Sequence, residues 1–264
     1  VITLAHPGSS LQEPFDVGVV MPTILRPEIG DALASVFAQD FPGRVQVLVG
    51  IDVVAQGGMA AVEAACAARP ANMVVQLFHP CYSTSVRHGG LCAAQDGGVL
   101  RTILSHLANS RRVAYLDDDN WWHPAHLRRL ARALDGHDYA YGLRWFVHPR
   151  TKRIVARDDW ESVGPGRGIY TDIYGGFVDP SCLMIDKTRC ADILPLWMRP
   201  QPGDDKGMSA DRTVFMALAK SFSGAGAGEP TVFYRLDPKD AMHVERMKVM
   251  ASLYAAAGGS AATE

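Results

Sequence analysis

Three consecutive carboxylates, Asp117, Asp118 and Asp119, followed by Asn120, close an apolar run at 113–116 whose composition is that of a buried strand. Anions side by side repel and lose hydration on burial, so such a cluster at a strand end calls for a cation held among them. In open α/β sheets, ligands bind in the loops beyond the carboxyl ends of the strands. The alternative is an exposed acidic turn capping the helix that Pro124 opens, because Asp and Asn favour such positions and Pro suits a first helical turn.

Other residues have chemistry to offer at comparable places. Asp52 closes a second apolar run at 45–51, where a carboxylate accepts hydrogen bonds from a nucleobase imide or a ribose; an ordinary turn aspartate reads the same way. Arg87 and Arg101 precede the aspartates and can reach a diphosphate or pair with the acidic cluster. Arg101 lies in a helical pattern at 98–108, where a surface charge is an equal reading. Asp211 begins a helix, as a base poised at the site or as a cap favoured by the helix dipole. Asp204 and Asp205, on the preceding loop, are rival bases. Aromatic faces stack on sugar rings, so Trp121 or Trp122, directly after the aspartates, is expected to face the site.

These residues need a scaffold. A chain of 264 residues, 48% apolar and 20% charged, suffices for one large domain with a full core. A formal net charge of -2 gives no basis for a general nucleic-acid binder or a polybasic membrane surface. Cys66, Cys81, Cys92, Cys182 and Cys190 show no zinc-site spacing, and their odd number with no apolar leader points to a cytoplasmic setting. No apolar run approaches a membrane span.

Short β-branched runs at 17–21, 45–51, 73–78 and 112–116 alternate with helical patterns at 27–37, 58–69 and 98–108. That alternation predicts an α/β, Rossmann-like, mixed and mainly parallel sheet flanked by helices. A fourth helical pattern follows the aspartates, with Leu127, Leu130, Ala131 and Leu134 in and arginines out. Residues 139–148 and 152–157 suggest a hairpin, and 164–168 a Gly/Pro-rich connection or lid. Gly175 and Gly176 either let backbone approach a donor sugar or bend a strand. Residues 177–186 and 231–236 read as strands, 209–220 as a helix, 224–228 as a flexible glycine stretch and 255–264 as a frayed tail. The nucleotide-binding half is expected at about 15–135 and the acceptor half at about 136–240.

The order of Val19-Val20-Met21-Pro22-Thr23, Val49-Gly50-Ile51-Asp52, Arg101, Ala114 to Asn120 and Ala210-Asp211 resembles nucleotide-diphospho-sugar glycosyltransferases of the GT-A fold, family-2 type, over roughly residues 15–240. The resemblance implies metal-dependent, inverting transfer of a hexosyl or related sugar from a UDP-sugar to a glycan, lipid or small-molecule acceptor. By the same resemblance Asp52 binds uracil, Asp118 the ribose or the metal, and Asp119 ligates Mn²⁺ or Mg²⁺. Pro22, Thr23, Arg26, Arg87, Arg101 and Asp117 join the nucleotide site, and Asp211 is the general base. A hard cation suits the departing diphosphate, and a sugar hydroxyl attacks poorly until a carboxylate takes its proton.

The chain departs from the family pattern in two places. Ala210 stands where a glutamate is common, and Tyr234-Arg235 is followed by Leu236 and Asp237 rather than histidine, so that the third metal contact falls to His243 or Asp237 or is left empty. These departures motivate a rival, a UDP-binding module that has lost catalysis. A nucleotidyltransferase is a further alternative, but residues 21–26 supply no glycine loop for a nucleoside triphosphate.

Overall fold

The structure, a computed structural model, describes residues 1–54 and 58–256, with side chains to residue 252. In chain order the strands and helices are β1 (Ile2–Leu4), β2 (Phe15–Thr23), α1 (Ile29–Phe37), β3 (Val45–Ile51), α2 (Gly58–Ala67), β4 (Met73–Phe78), α3 (Gly98–Leu107), β5 (Ser110–Tyr115), β6 (Trp121–Trp122), α4 (His126–Leu134), β7 (Tyr139–Val147), β8 (Ile154–Arg157), β9 (Gly164–Pro165), α5 (Thr171–Tyr174), β10 (Gly176–Phe177), β11 (Leu183–Asp186), α6 (Ala210–Ser221), β12 (Gly224–Arg235) and α7 (His243–Ala256).

The apolar runs form the middle of one mixed sheet, ordered β1-β4-β3-β2-β5-β11-β7-β12-β6, with β8 hairpinned onto β7. β4, β3, β2 and β5 are parallel, and β3 is buried along its whole length, as strands covered by helices on both faces must be. β11 runs antiparallel to β5 and β7, and β12 runs parallel to β7. The carboxyl ends of β2, β3, β5, β7 and β12 therefore point to one edge of the sheet. Thr23, Asp52, the three aspartates and Tyr234-Arg235 arrive there together, and the segment entering β11 brings Asp179 to the same edge.

Helix positions follow from the apolar faces. α1 buries Ile29, Ala32, Leu33 and Val36, the i, i+3, i+4, i+7 stripe of an amphipathic helix. α3 lies close on the sheet because Gly50 has no side chain; a Cβ there would stand 2.8 Å from Leu104 Cδ1 and 3.1 Å from Leu100 Cβ.

Two expectations need correction. The glycine stretch at 224–228 is not flexible but forms the first half of β12, with Gly224 opposite Tyr139 and Gly226 opposite Tyr141. A Cβ at Gly224 would come within 2.1 Å of the Tyr139 ring, so glycine here makes room for tyrosine. Residues 177–186 are not one strand: Asp179 caps a 3-10 turn at Pro180–Cys182 by accepting from Ser181 N, and only Leu183–Asp186 pairs in the sheet. The tail expected at 255–264 lies outside the described residues apart from the last turn of α7. Among the described residues, no helix is long and apolar enough to cross a membrane.

His126, fully buried at the start of α4, stacks on Trp122 at 4.3 Å, and its Nδ1 bonds Thr231 Oγ1 at 2.8 Å. Burial drives its pKa down to about 3, against about 6.5 in an unfolded chain. The folded protein thus resists a proton that the unfolded chain accepts, so this stabilisation is complete above about pH 6.5 and declines as pH falls toward 3. A His126→Gln variant, followed by urea unfolding, should close the stability gap to wild type steadily between pH 7 and pH 5; a gap independent of pH contradicts the assignment.

Candidate active site

The carboxyl edge of the sheet opens into a cleft of ≈ 1210 Å³. Its floor is the turn after β5. Asp118, only 3% exposed, accepts from Thr23 Oγ1 at 2.6 Å and from Arg26 Nη1 at 2.8 Å. The same arginine nitrogen donates to Asp119 Oδ2 at 2.9 Å. Arg26 is aimed by the turn before it: Leu25 takes a left-handed φ of 58°, unusual for leucine, and its N–H bonds Thr23 Oγ1 at 2.7 Å.

Asp117 turns the other way, onto Arg101. The Arg101 guanidinium donates to Asp117 Oδ1 and to the Asp96 carbonyl and packs over Trp197, with its carbon 5.3 Å from the ring. Of the readings open to Arg101, pairing with the acidic cluster is the one observed, and the helix-surface reading fails because the residue is 4% exposed. Asp52 accepts from Thr84 N and Thr84 Oγ1, both at 2.7 Å, and from Ser83 Oγ at 2.6 Å. Oδ2 thereby retains acceptor capacity toward the cleft it lines.

Asp211, also lining the cleft, occupies the first turn of α6, half-buried, with Oδ1 accepting from the Arg212 backbone at 2.7 Å and from its guanidinium at 3.0 Å. Arg212 is in turn clamped over Tyr170 and Phe177. Asp204, the rival base, is committed to its own loop, accepting from Lys206 N, Met208 N and Ser209 Oγ. Asp205 is exposed at the rim, as is Arg87.

Three expectations are not met. His243 is the first residue of α7, is not among the cleft-lining residues, and does not accompany Asp119; Asp237 does line the cleft. Neither Trp121 nor Trp122 faces the site. Trp122 is buried with Nε1 donating to the Ser181 carbonyl at 2.8 Å, and Trp121 stacks on Phe233, its partner where β6 pairs with β12, so the two rings lie on opposite faces of the sheet and neither lines the cleft. The glycine-rich connection at 164–168 is no lid. Its β9 strand is tied to Gly176–Phe177, none of residues 164–168 is among those lining the cleft, and Tyr174, Phe177 and Tyr234 supply the aromatic wall instead.

Sequence reasoning missed a buried charge network behind this wall. Arg144, fully buried, donates to Asp158 at 2.7 Å and Asp179 at 2.6 Å and lies 2.9 Å from Glu161. Arg246 from α7 grips Glu161 through two nitrogens at 2.7 and 2.8 Å and Asp240 at 2.6 Å. Tyr234 is sandwiched between the two guanidiniums, at 4.1 and 4.8 Å from its ring. The available signal was a charged residue, Arg144, inside an aromatic strand-like segment, with Asp158 and Glu161 following soon after the next one.

The cleft is short of positive charge. Burial pushes the Asp119 carboxyl up to about 7 against the pull of Arg26, and Asp96 up to about 7 against that of Arg101. Asp179 is pushed up to about 6, and burial also raises Asp118 and Asp211. Among the described residues no three His, Cys, Asp or Glu side chains close on one point. The donor set still fits a hard cation of the Mg²⁺ or Mn²⁺ type, which is commonly held by one or two carboxylates with the remaining positions filled by phosphate and water. A cationic nitrogen bridging Asp118 and Asp119 already stands in that place.

The fold is shared with solved glycosyltransferases. Residues 1–349 of Staphylococcus aureus TarS superpose with a TM-score of 0.59 at 17% identity, over 90% of this chain and 64% of that one. The same TarS fragment has been solved with UDP and with UDP-GlcNAc, and this chain covers 39% of a longer TarS chain. The mannosyltransferase PcManGT from Pyrobaculum calidifontis, in complex with GDP-Man and Mn²⁺, gives a TM-score of 0.55 at 15% identity, over 95% and 67%. No protein-family model and no curated protein matches the sequence. The chain has the single-domain GT-A-type fold, a mixed, mainly parallel sheet between helices.

Removing one partner of the Arg101–Asp117 pair strands a carboxylate in the cleft floor. Arg101→Met should cost about 3 kcal/mol in urea unfolding, the low end for a buried pair because Asp117 keeps 23% of its side chain exposed. Adding Asp117→Asn should recover part of the loss; no recovery would mean that Arg101 stabilises through its contacts with Asp96 and Trp197 rather than through Asp117.

Proposed function

We propose that this protein is a glycosyltransferase that moves a sugar from a UDP-sugar donor to an acceptor hydroxyl with inversion at the anomeric carbon. The observation that carries this reading is the convergence of Asp52, Asp118, Asp119 and Asp211 in one cleft, on a fold whose solved neighbours include complexes with UDP, UDP-GlcNAc and GDP-Man. Residues 15–135 form the nucleotide half and 136–240 the acceptor half.

In this reading the uracil imide donates to the free capacity of Asp52, and Pro22 and Thr23 wall the nucleoside. Asp118 faces the ribose from the cleft floor. Arg26 and Arg87 lie toward the diphosphate, whereas Arg101 acts through Asp117, which it holds in place. Asp119, with Asp118, would hold Mn²⁺ or Mg²⁺, whose contribution is to neutralise charge on the departing diphosphate. The acceptor hydroxyl gives its proton to the Asp211 carboxylate as its oxygen bonds to the anomeric carbon and the bond to UDP breaks. Dehydration raises the affinity of Asp211 for that proton, as a base requires. Arg212 fixes the direction of the carboxylate, and Tyr174, Phe177 and Tyr234 offer faces for sugar rings.

Asp211→Asn should lower UDP release from a turned-over UDP-sugar by roughly 10²–10⁴-fold while leaving UDP binding intact. The acid limb of the wild-type rate profile should lie above the ordinary aspartate range. An unchanged rate removes Asp211 as the base. Retained UDP binding with no turnover of any UDP-sugar, with or without candidate acceptors, favours the binding module, to which Ala210 and the outlying His243 already point.

A further inference from the structure

Arg26 is held at the aspartates on unequal terms. Its Nη1 is shared between Asp118 Oδ1 at 2.8 Å and Asp119 Oδ2 at 2.9 Å, and among the described residues the guanidinium makes no other hydrogen bond. Asp118 is buried to 4% side-chain exposure and fixed from below by Thr23, whereas the arginine side chain is 40% exposed. Asp118 is thus anchored independently of the arginine, and the cation between it and Asp119 is attached only through these two carboxylates. The turn through Leu25, at positive φ, aims the arginine back over the floor instead of out along α1. A divalent ion approaching Asp118 and Asp119 would meet a positive nitrogen where it must bind.

We propose that Arg26 is a displaceable counter-ion: it neutralises Asp118 and Asp119 in the cation-free protein, and it must leave them for a divalent cation to bind. The proposal rests on the reading of Asp119 as a cation ligand. It goes further in making arginine and metal mutually exclusive at these two carboxylates, with the freed guanidinium turned to the phosphates of the donor. The protein alone then binds the cation weakly. Affinity rises when a diphosphate offers Arg26 another anion, so cation and nucleotide assist each other by equal factors.

The test is titration of Mn²⁺ into nucleotide-free protein, with free Mn²⁺ read by its paramagnetic resonance signal. Arg26→Gln removes the competing charge and should bind Mn²⁺ on the order of tenfold more tightly than wild type. Its melting temperature without cation should be lower than that of wild type and should rise more on adding Mn²⁺. Should the glutamine variant fail to fold, Arg26→Met, which keeps an apolar stem, serves in its place. Equal or weaker Mn²⁺ binding by the folded variant overturns the proposal while leaving the glycosyltransferase reading intact. No Mn²⁺ binding by either protein, with UDP present or absent, overturns both.

Discussion

The cleft gathers more carboxylate than it can hydrate, and the arrangement of its arginines follows from that excess. Parallel strands deliver aspartates to one edge because the backbone direction leaves no other place for β3 and β5 to end. Several of the acidic groups are then met by a guanidinium: Asp118 and Asp119 by Arg26 after β2, Asp117 by Arg101 on α3, Asp158 and Asp179 by Arg144 on β7, and Asp211 by its neighbour Arg212 on α6, whereas Asp52 is held by Ser83 and Thr84. Such pairs add little net stability, since dehydrating the charges offsets most of their attraction. What they provide is fixed direction at groups that would otherwise repel, and the carboxylates still pushed toward neutral pH show that compensation is incomplete.

This shortage gives the two sides of the cleft different characters. At the turn after β5 Asp118 and Asp119 share one partly exposed arginine, a loose neutralisation suited to exchange. Beside β7 Asp179, Asp158 and Glu161 are locked by the fully buried Arg144, and Glu161 is gripped again by Arg246. α7 is therefore tied through Arg246 to the same buried cluster that positions Asp179 and Tyr234. The wall around Arg144 is built from distant parts of the chain, while the floor at Asp118 and Asp119 is a single turn.

Much of this was legible in the sequence where one physical cause acts alone. Buried parallel strands announce themselves as unbroken β-branched runs, so β3 and β4 were bounded correctly and the position of the aspartates followed. Asp211 was legible as the opening of a helix, though not its place in the same cleft as Asp118. Arg101 was ambiguous because helical spacing does not say which face is covered, and that depends on Trp197, distant in sequence. Glycines at 224 and 226 suggested flexibility because their partners, Tyr139 and Tyr141, lie on another strand. The Arg144 network was invisible for the same reason: a buried charge is recognisable only once its counter-charges are brought beside it. The tryptophans after the aspartates misled because pairing of β6 with β12 outweighs proximity in sequence.

Calorimetric titration of UDP, GDP and ADP into the purified protein, first with Mn²⁺ and then with a chelator, bears most directly on the claim that this cleft is a nucleotide-sugar site. Binding selective for UDP and dependent on Mn²⁺ is the predicted result. Absence of binding by all three nucleotides under both conditions would contradict it and leave the aspartates as an acidic turn neutralised by Arg26 and Arg101 alone.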